Sequence, residues 1–340
     1  MTRTANIAVI GATGAVGEAM LTVLAERNFP INKLYAVASA RSAGQLLDFK
    51  NESIEVQDIE EFDFSNVEIA LFSAGSSVSE KYAPIAASYG CVVIDNTSFF
   101  RNDPEIPLVV PEVNPEAIEL FTTRYIIANP NCSTIQMVVA LKPLHDKAKI
   151  RHIHVSTYQS VSGSGNKGIK ELVHQCGELL NGRPVKPSVY AQQIAFNALP
   201  HIDEFQDNGY TKEEMKMVWE TKKIFNDDSI QVNPTTVRVP VLYGHSEAIH
   251  VTFEQPLTPQ EARELLVKAP GVTVKDDFKK VRYPTAISDA VGQDDVFVGR
   301  IRQDLDDPYG LNLWVVADNI RKGAATNAVQ IAEILLNKYL

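Results

Sequence analysis

Ile7-Ala-Val-Ile10-Gly11-Ala-Thr-Gly14-Ala-Val-Gly17 is an apolar run that breaks into three evenly spaced glycines. A continuous apolar run of β-branched character reads as a strand buried on both faces, as parallel sheets require. After the glycines, Val16, Met20, Val23, Leu24 and Arg27 recur at helical spacing, Asn28-Phe-Pro30 ends that pattern, and Leu34–Ala38 reads as a second buried strand. The unit is therefore strand, glycine turn, helix, strand. Glycines in that turn permit a tight bend and let a pyrophosphate reach the first amides of the helix, which makes Gly11 and Gly14 candidate cofactor contacts. The spacing is G-x-x-G-x-x-G rather than G-x-G-x-x-G, so the strand-turn-helix context carries the reading more than the glycines do.

Working outward, Val67–Ser73 and Cys91–Asp95 are two further buried strands, and right-handed crossovers on both faces make the first third a Rossmann-type doubly wound parallel sheet. The residues after the second strand choose between dinucleotides. In NAD sites a carboxylate there accepts from the ribose 2′-hydroxyl. Here Ser39, Arg41 and Ser42 follow, and the nearest acid is Asp48. A cation with two hydroxyls suits a 2′-phosphate, so the expected cofactor is NADP(H); the structural alternative is an exposed loop arginine.

Past residue 130 the strands lengthen and alternate: His152–Tyr158, Thr236–Leu242, Ala248–Glu254, Val296–Ile301 and Leu311–Ala317. Alternation suits a sheet with helices on one face and a partner or solvent on the other. The expected architecture is a dinucleotide-binding domain over 1–130 and a second, α+β domain over 131–319. A C-terminal helix within 320–340 carries Ala328, Ile331, Leu335 and Tyr339 on one stripe and returns to the first domain. A second glycine-rich stretch, Gly163-Ser-Gly165-Asn-Lys-Gly168, matches the standard dinucleotide fingerprint. With a better-placed unit at the N-terminus it is expected to be a decoy, a loop that lets a ligand approach the backbone.

The 340 residues carry 32 Lys+Arg against 42 Asp+Glu, a net charge of −10, and this argues against a nucleic-acid-coating surface, which needs a concentrated basic face. No apolar run approaches the ~18 residues of a membrane span. Met1-Thr-Arg-Thr leads directly into the first strand without a signal-peptide pattern, so the cytoplasm is the expected compartment. Cys91, Cys132 and Cys176 are three in number without metal-like spacing, so neither a disulfide framework nor a metal site is expected.

One cysteine is different. In Tyr125-Ile-Ile-Ala-Asn129-Pro130-Asn131-Cys132-Ser133-Thr134, proline and asparagine end a strand, and the helical Ile135–Leu141 follows. Cys132 is thereby set at a helix N-terminus, where the positive end of the dipole favours thiolate, the nucleophilic form. Cys91 (mid-strand) and Cys176 (mid-helix) read as structural. Among the histidines, His152 and His154 alternate on a strand, while His145, His174 and His201 show no partner pattern. His245, in a turn between strands, is the best-placed proton-transfer group, barely ahead of His250 on spacing alone.

Gly11–Gly17, Arg101 in Ser98-Phe-Phe-Arg101, Pro111-Glu-Val-Asn114, Asn129-Pro-Asn-Cys132-Ser, Gln159-Ser-Val-Ser-Gly163, Val237-Arg238-Val and Gly244-His245-Ser occur in order along essentially the whole chain. Together they resemble the aspartate-semialdehyde dehydrogenase family. The resemblance implies an NADP-dependent enzyme that makes L-aspartate 4-semialdehyde from L-4-aspartyl phosphate, on the route to lysine, threonine, methionine, isoleucine and diaminopimelate. It implies Cys132 as acyl-thioester nucleophile, His245 as general acid/base and Gln159 as the residue that orients the acyl group. Arg238 would hold the substrate α-carboxylate and Glu213 its amino group; Arg101 and Lys216 would bind phosphate. Thr13 to Val16, Arg41, Ser42, Ser162, Gly163 and Asn319 would contact NADP, and the second domain would form a homodimer, in some members a tetramer.

Thr211-Lys-Glu-Glu214 has the form of a capping box, which puts Glu213 and Lys216 at i,i+3 on one helix, with Glu220 and Lys223 as a second such pair two turns on. The first is preferred for its position near the positive helix end. Competing readings are an N-acetyl-glutamyl-phosphate reductase with the same chemistry, a silent NADP-binding sensor, and a cofactor-free cysteine hydrolase.

Overall fold

The computed structural model describes residues 3–340; Met1 and Thr2, part of the stretch read for a leader, lie outside the described residues. The chain forms two compact units, one running to Asn131 and resuming at Ala324–Leu340, the other spanning Cys132–Gly323.

The first unit is built on β1 (Ala5–Ile10), α1 (Ala15–Glu26), β2 (Ile31–Ala38), β3 (Leu46–Phe49), β4 (Glu52–Asp58), β5 (Ile69–Phe72), α2 (Ser76–Ser88), β6 (Val92–Asp95) and β7 (Ile126–Ala128). Its sheet has the order β3-β4-β2-β1-β5-β6-β7, parallel except for the β3–β4 hairpin at one edge. The order reverses at β1, so the Gly11–Gly17 turn lies at the switch point where open α/β sheets bind ligands. Cys91 falls just before β6 rather than inside a strand; it is fully buried, and burial pushes its thiol far up.

The second unit carries α3 (Cys132–Ala148), β8 (Ile150–Gln159), α4 (Asn166–Leu180), α5 (Lys212–Phe225), β9 (Gln231–Arg238), β10 (His245–Phe253), α6 (Pro259–Lys268), β11 (Val272–Val274), β12 (Val296–Gln303) and β13 (Gly310–Ala317). The strands form one mixed sheet, β11-β12-β13-β10-β8-β9. The inner faces of β8 and β10 are buried (Ile153, Val155, Ile249, Val251), whereas Tyr158 and Trp314 pack on each other from the outer face.

Two local expectations shift. The strand expected at Thr236–Leu242 is β9 at Gln231–Arg238: it runs through Pro234, which an edge strand tolerates because no ladder partner needs the missing N–H. Beyond Arg238 the chain turns away, with the Val241 and Leu242 carbonyls accepting from Val161 and Ser162. His245 lies not in a turn but at the first position of β10, opposite Ala317.

The last helix, α7 (Thr326–Lys338), returns to the first unit, burying Ala328, Ile331 and Leu335 with α1 and the parallel sheet while Tyr339 meets Phe121 edge to face. A two-bond Arg27–Glu333 pair ties it to α1. The chain leaves the second unit at Gly323 rather than at 319, because Asp318 accepts from the Ile320 and Arg321 amides and its carbonyl accepts from Gly323.

Candidate functional site

Three neighbouring strands bring their terminal side chains to one end of the second sheet. Gln159, the last residue of β8, lies opposite Arg238, the last of β9. Tyr158 lies opposite Ser246, which sets His245 beside Gln159 on the inner face. All three are buried. The half-buried Cys132 is the first residue of α3, and Gln159 Nε2 donates to the hydroxyl of the next residue, Ser133. Gly323 makes room for the cysteine: a Cβ there would lie 2.7 Å from that of Cys132.

The His245 ring is held in one state. Its Nδ1 accepts from the Ser160 amide at 3.1 Å, with the Ser160 hydroxyl at the same distance, so the ring proton sits on Nε2. Burial, then the neighbouring Arg238 guanidinium, hold its pKa down to about 3, against the opposing pull of Glu213. The imidazole is therefore neutral and presents an N–H donor beside Gly163, whose missing Cβ would lie 3.5 Å from the ring and 2.9 Å from Arg238 Nη1. Arg238 donates Nη1 to the Ser160 carbonyl at 2.6 Å and keeps its buried Nε–H without a partner among the described residues. With Gly163 it lines a cavity of about 800 Å³ that also takes in Lys167, Asn197, His201 and Asp203.

The capping box at Thr211 opens α5 as its sequence indicates, with Glu214 reaching back to the Thr211 amide at 2.7 Å. It presents Glu213 to Gln159 Nε2 at 3.0 Å, and Lys216 bridges Glu213 (3.0 Å) and Asp203 (2.8 Å). The Glu213–Lys216 pair thus joins the Gln159 cluster. Asn319 gathers the surrounding loops: its Oδ1 accepts from Ser160 (3.1 Å), Ser162 (3.2 Å) and the Gly244 amide (2.9 Å), while its Nδ2 donates to Ser162 at 3.0 Å. His250, five residues after His245, faces the other side of β10 and pairs with Asp304 at 2.6 Å. His152 and His154 stack with ring centroids 4.1 Å apart, and among the described residues no group of three His, Cys, Asp or Glu is arranged to hold a metal ion.

In the first unit, Gly11 has φ +86° and a Cβ on it would lie 2.7 Å from the Ser73 carbonyl oxygen. Gly14 caps α1 without any side-chain bond to the first amides, and Thr13 Oγ1 donates to Ser42 at 3.3 Å, which ties the glycine turn to the loop after β2. Ser39 and Arg41 stand exposed in that loop, and Asp48 is set apart on β3, where it accepts from Ser53. A backbone cradle with bare helix amides, backed by a serine–arginine loop, fits a dinucleotide phosphate. Arg101 is buried and donates to the Asn96 carbonyl at 2.8 Å beside Asp95, whose carboxyl burial raises while bonds from Ser79 and Thr97 pull the other way.

Sequence reasoning missed Ser160, which fixes the His245 tautomer, Asp203, which shares Lys216, and Gly323. Ser160 lies inside the quoted Gln159–Gly163 motif; Asp203 and Gly323 carry no local signal, since their partners are distant in the chain.

Residues 6–121 match the family model described as semialdehyde dehydrogenase, NAD binding domain, and residues 141–322 match semialdehyde dehydrogenase, dimerisation domain. The chain is 66% identical over 340 residues to an aspartate-semialdehyde dehydrogenase of Legionella pneumophila, covering 100% of this chain and 98% of that one. A crystal structure of aspartate semialdehyde dehydrogenase II from Vibrio cholerae, complexed with ASA, superposes with a TM-score of 0.98 at 58% identity over 99% of this chain and 100% of that one. The enzyme from Candida albicans, solved with NADP, gives 0.77 at 26% identity over 98% of both chains. No helix among the described residues is long and apolar enough to cross a membrane. With both family models matched in order and full-length relatives at such identity, the chain belongs to the aspartate-semialdehyde dehydrogenase family.

Proposed function

We propose that this chain catalyses the reversible, NADPH-dependent conversion of L-4-aspartyl phosphate to L-aspartate 4-semialdehyde and phosphate, through an acyl thioester on Cys132. The observation that carries the proposal is the convergence of Gln159, Arg238 and a tautomer-fixed His245 on the end of the sheet to which Gln159 also draws the Cys132 helix.

Arg238 offers a planar fork to the substrate α-carboxylate, which a point-charge lysine does not match, and Glu213 receives the amino group. Lys216 and Arg101 receive phosphate. Cys132 attacks the acyl carbon, phosphate leaves with the electrons of the C–O bond, and the thioester forms. Gln159 orients the acyl group. When bound, NADPH supplies the hydride that the thioester carbonyl accepts. His245 then steadies the oxygen that gains charge with a hydrogen bond from its Nε2–H and keeps that proton; a neutral imidazole is suited to this because it is a donor that does not neutralise a nearby thiolate. As that oxygen re-forms the carbonyl, the C–S bond breaks and its electrons leave on Cys132 as thiolate.

Gly11, Thr13, Gly14, Ala15 and Val16 would hold the pyrophosphate, Ser39, Arg41 and Ser42 the 2′-phosphate, and Ser162, Gly163 and Asn319 the nicotinamide end. NADP rather than NAD is supported by the missing carboxylate after β2. A homodimer through the outer face of the second sheet and a cytoplasmic location go with this reading, as does a place on the lysine, threonine, methionine, isoleucine and diaminopimelate route.

The test is the phosphate dependence of aldehyde oxidation. L-aspartate 4-semialdehyde should reduce NADP only when phosphate or arsenate is present, and N-acetylglutamate semialdehyde should not substitute. Turnover without phosphate would point to a thioester hydrolase, and tight NADPH binding without turnover to a silent sensor.

A further inference from the structure

One pleat repeat below Arg238, Gln159 and His245, the same strands carry a second polar row. Thr236 lies opposite Thr157, and Thr157 opposite Glu247. All three are fully buried, and no side-chain oxygen of theirs closes a hydrogen bond with another described residue. Gln136, four residues after Cys132 on α3, is equally buried and leaves both ends of its amide unmatched. It lies beside the Glu247 carboxyl. The next row down is apolar, Val155, Ile249 and Leu313, so the polar row interrupts a face that otherwise packs as core.

The chemistry of the two orphaned groups is complementary. Burial drives the Glu247 carboxyl well above the ordinary carboxylate range, and in its protonated form it carries one O–H donor and one carbonyl acceptor. A carboxamide offers an N–H donor and a carbonyl acceptor, so acid and amide satisfy each other at both ends. Burial makes unmade bonds of this kind costly.

We propose that Glu247 is a positioning residue, which clasps Gln136 and so ties the strand that begins at His245 to the helix that begins at Cys132. The lever arms are short. Glu247 is two residues from His245 on the same face of β10, and Gln136 is one helical turn from Cys132 on the same side of α3. Slack at the clasp shifts imidazole and thiol relative to each other, and reacting geometry is sensitive to displacements of about 1 Å. The inference rests on the roles proposed above for Cys132 and His245.

The experiment compares Gln136→Leu/Glu247→Leu, Glu247→Gln, Gln136→Glu and the exchange variant Gln136→Glu/Glu247→Gln, reading kcat, KM, NADPH binding and Tm. The double variant Gln136→Leu/Glu247→Leu should lower kcat about tenfold or more with KM unchanged, while Tm holds or rises because both partners of the buried polar pair are replaced together. A merely structural role would move kcat and Tm down together. Glu247→Gln should keep kcat within about twofold, since two amides also pair at both ends. Gln136→Glu and the exchange variant should do the same, since two protonated carboxyls, or an acid and an amide in exchanged places, also pair at both ends. If the double leucine variant does not fold, Gln136→Met/Glu247→Met takes its place with the same expectation. Wild-type kcat in the folded leucine variant, or an exchange variant that loses activity as the leucine variant does, overturns the clasp. Loss of phosphate-dependent turnover in the unmutated enzyme overturns the proposed function instead, so the two failures are distinct.

Discussion

Gly11–Gly17 and Gly163–Gly168 are both glycine-rich turns between a strand and a helix, and the second has the better dinucleotide spacing. Their surroundings separate them. The first follows a strand buried between two parallel neighbours, and its glycines press on backbone: Gly11 on Ser73, and Gly17 on Gly11, whose carbonyl oxygen would lie 2.1 Å from an added Cβ. The second follows β8 of a mixed sheet, and Gly163 presses on side chains, Arg238 and His245. In one turn the absent methyl groups let backbone segments approach one another closely. In the other they let reactive side chains stand close to the chain. The same residue type does opposite work because the strand before it belongs to a different sheet.

The largest test of that division is Cys132→Ala. It should lower phosphate-dependent turnover by about 10⁴ or more, because no other group forms the thioester, while NADPH affinity measured by fluorescence titration stays near wild type. Turnover close to wild type in this variant would remove the chemistry from the second unit. Next comes Gly163→Ala. Its methyl displaces Arg238, so kcat/KM for the semialdehyde should fall about 10- to 100-fold with little change in Tm. An effect confined to NADPH binding would leave Gly163 with its proposed nicotinamide contact alone and detach the second turn from Arg238.

What was legible in the sequence follows the same line. The βαβ unit could be read because its signals are local: an apolar run, glycines, then a helical stripe within thirty residues. Cys132 could be read because Pro130 and Asn131 end a strand where a helix begins. His245 and His250 could not be told apart, since only a register shows that residues five apart face opposite sides of a strand, one towards Ser160 and the other towards Asp304. The ends of β9 were misplaced because a proline reads as a breaker until its strand is known to be an edge. Glu247 gave no signal as a polar residue among alternating ones; its burial depends on α3 lying over that row.

Gly17→Ala sharpens the first half of the comparison. The clash is with backbone that cannot yield, so the variant should lose about 2–3 kcal/mol of stability in denaturant unfolding together with NADPH affinity. Gly177, within α4, has nothing within 4 Å of an added Cβ, and its alanine variant should gain up to about 1 kcal/mol with kcat unaltered. Equal effects at the two positions would mean that the tight packing of the first turn has no energetic weight.

The smallest effect concerns acid. His245 titrates near 3 in the fold, below the value of about 6.5 it has in an unfolded chain. Between those values the unfolded state binds the extra proton, so stability rises with pH across this window and falls as pH drops through it. Raised carboxyls such as Asp95 and Glu247 give the opposite slope, but they are present in wild type and in His245→Gln alike and cancel in the difference. Relative to that variant, wild type should therefore lose about 1 kcal/mol on going from pH 7 to pH 5.5, read from paired urea unfolding curves. Parallel pH profiles would mean that the imidazole takes up its proton in the folded enzyme, and the neutral donor proposed for the reaction would have to be given up.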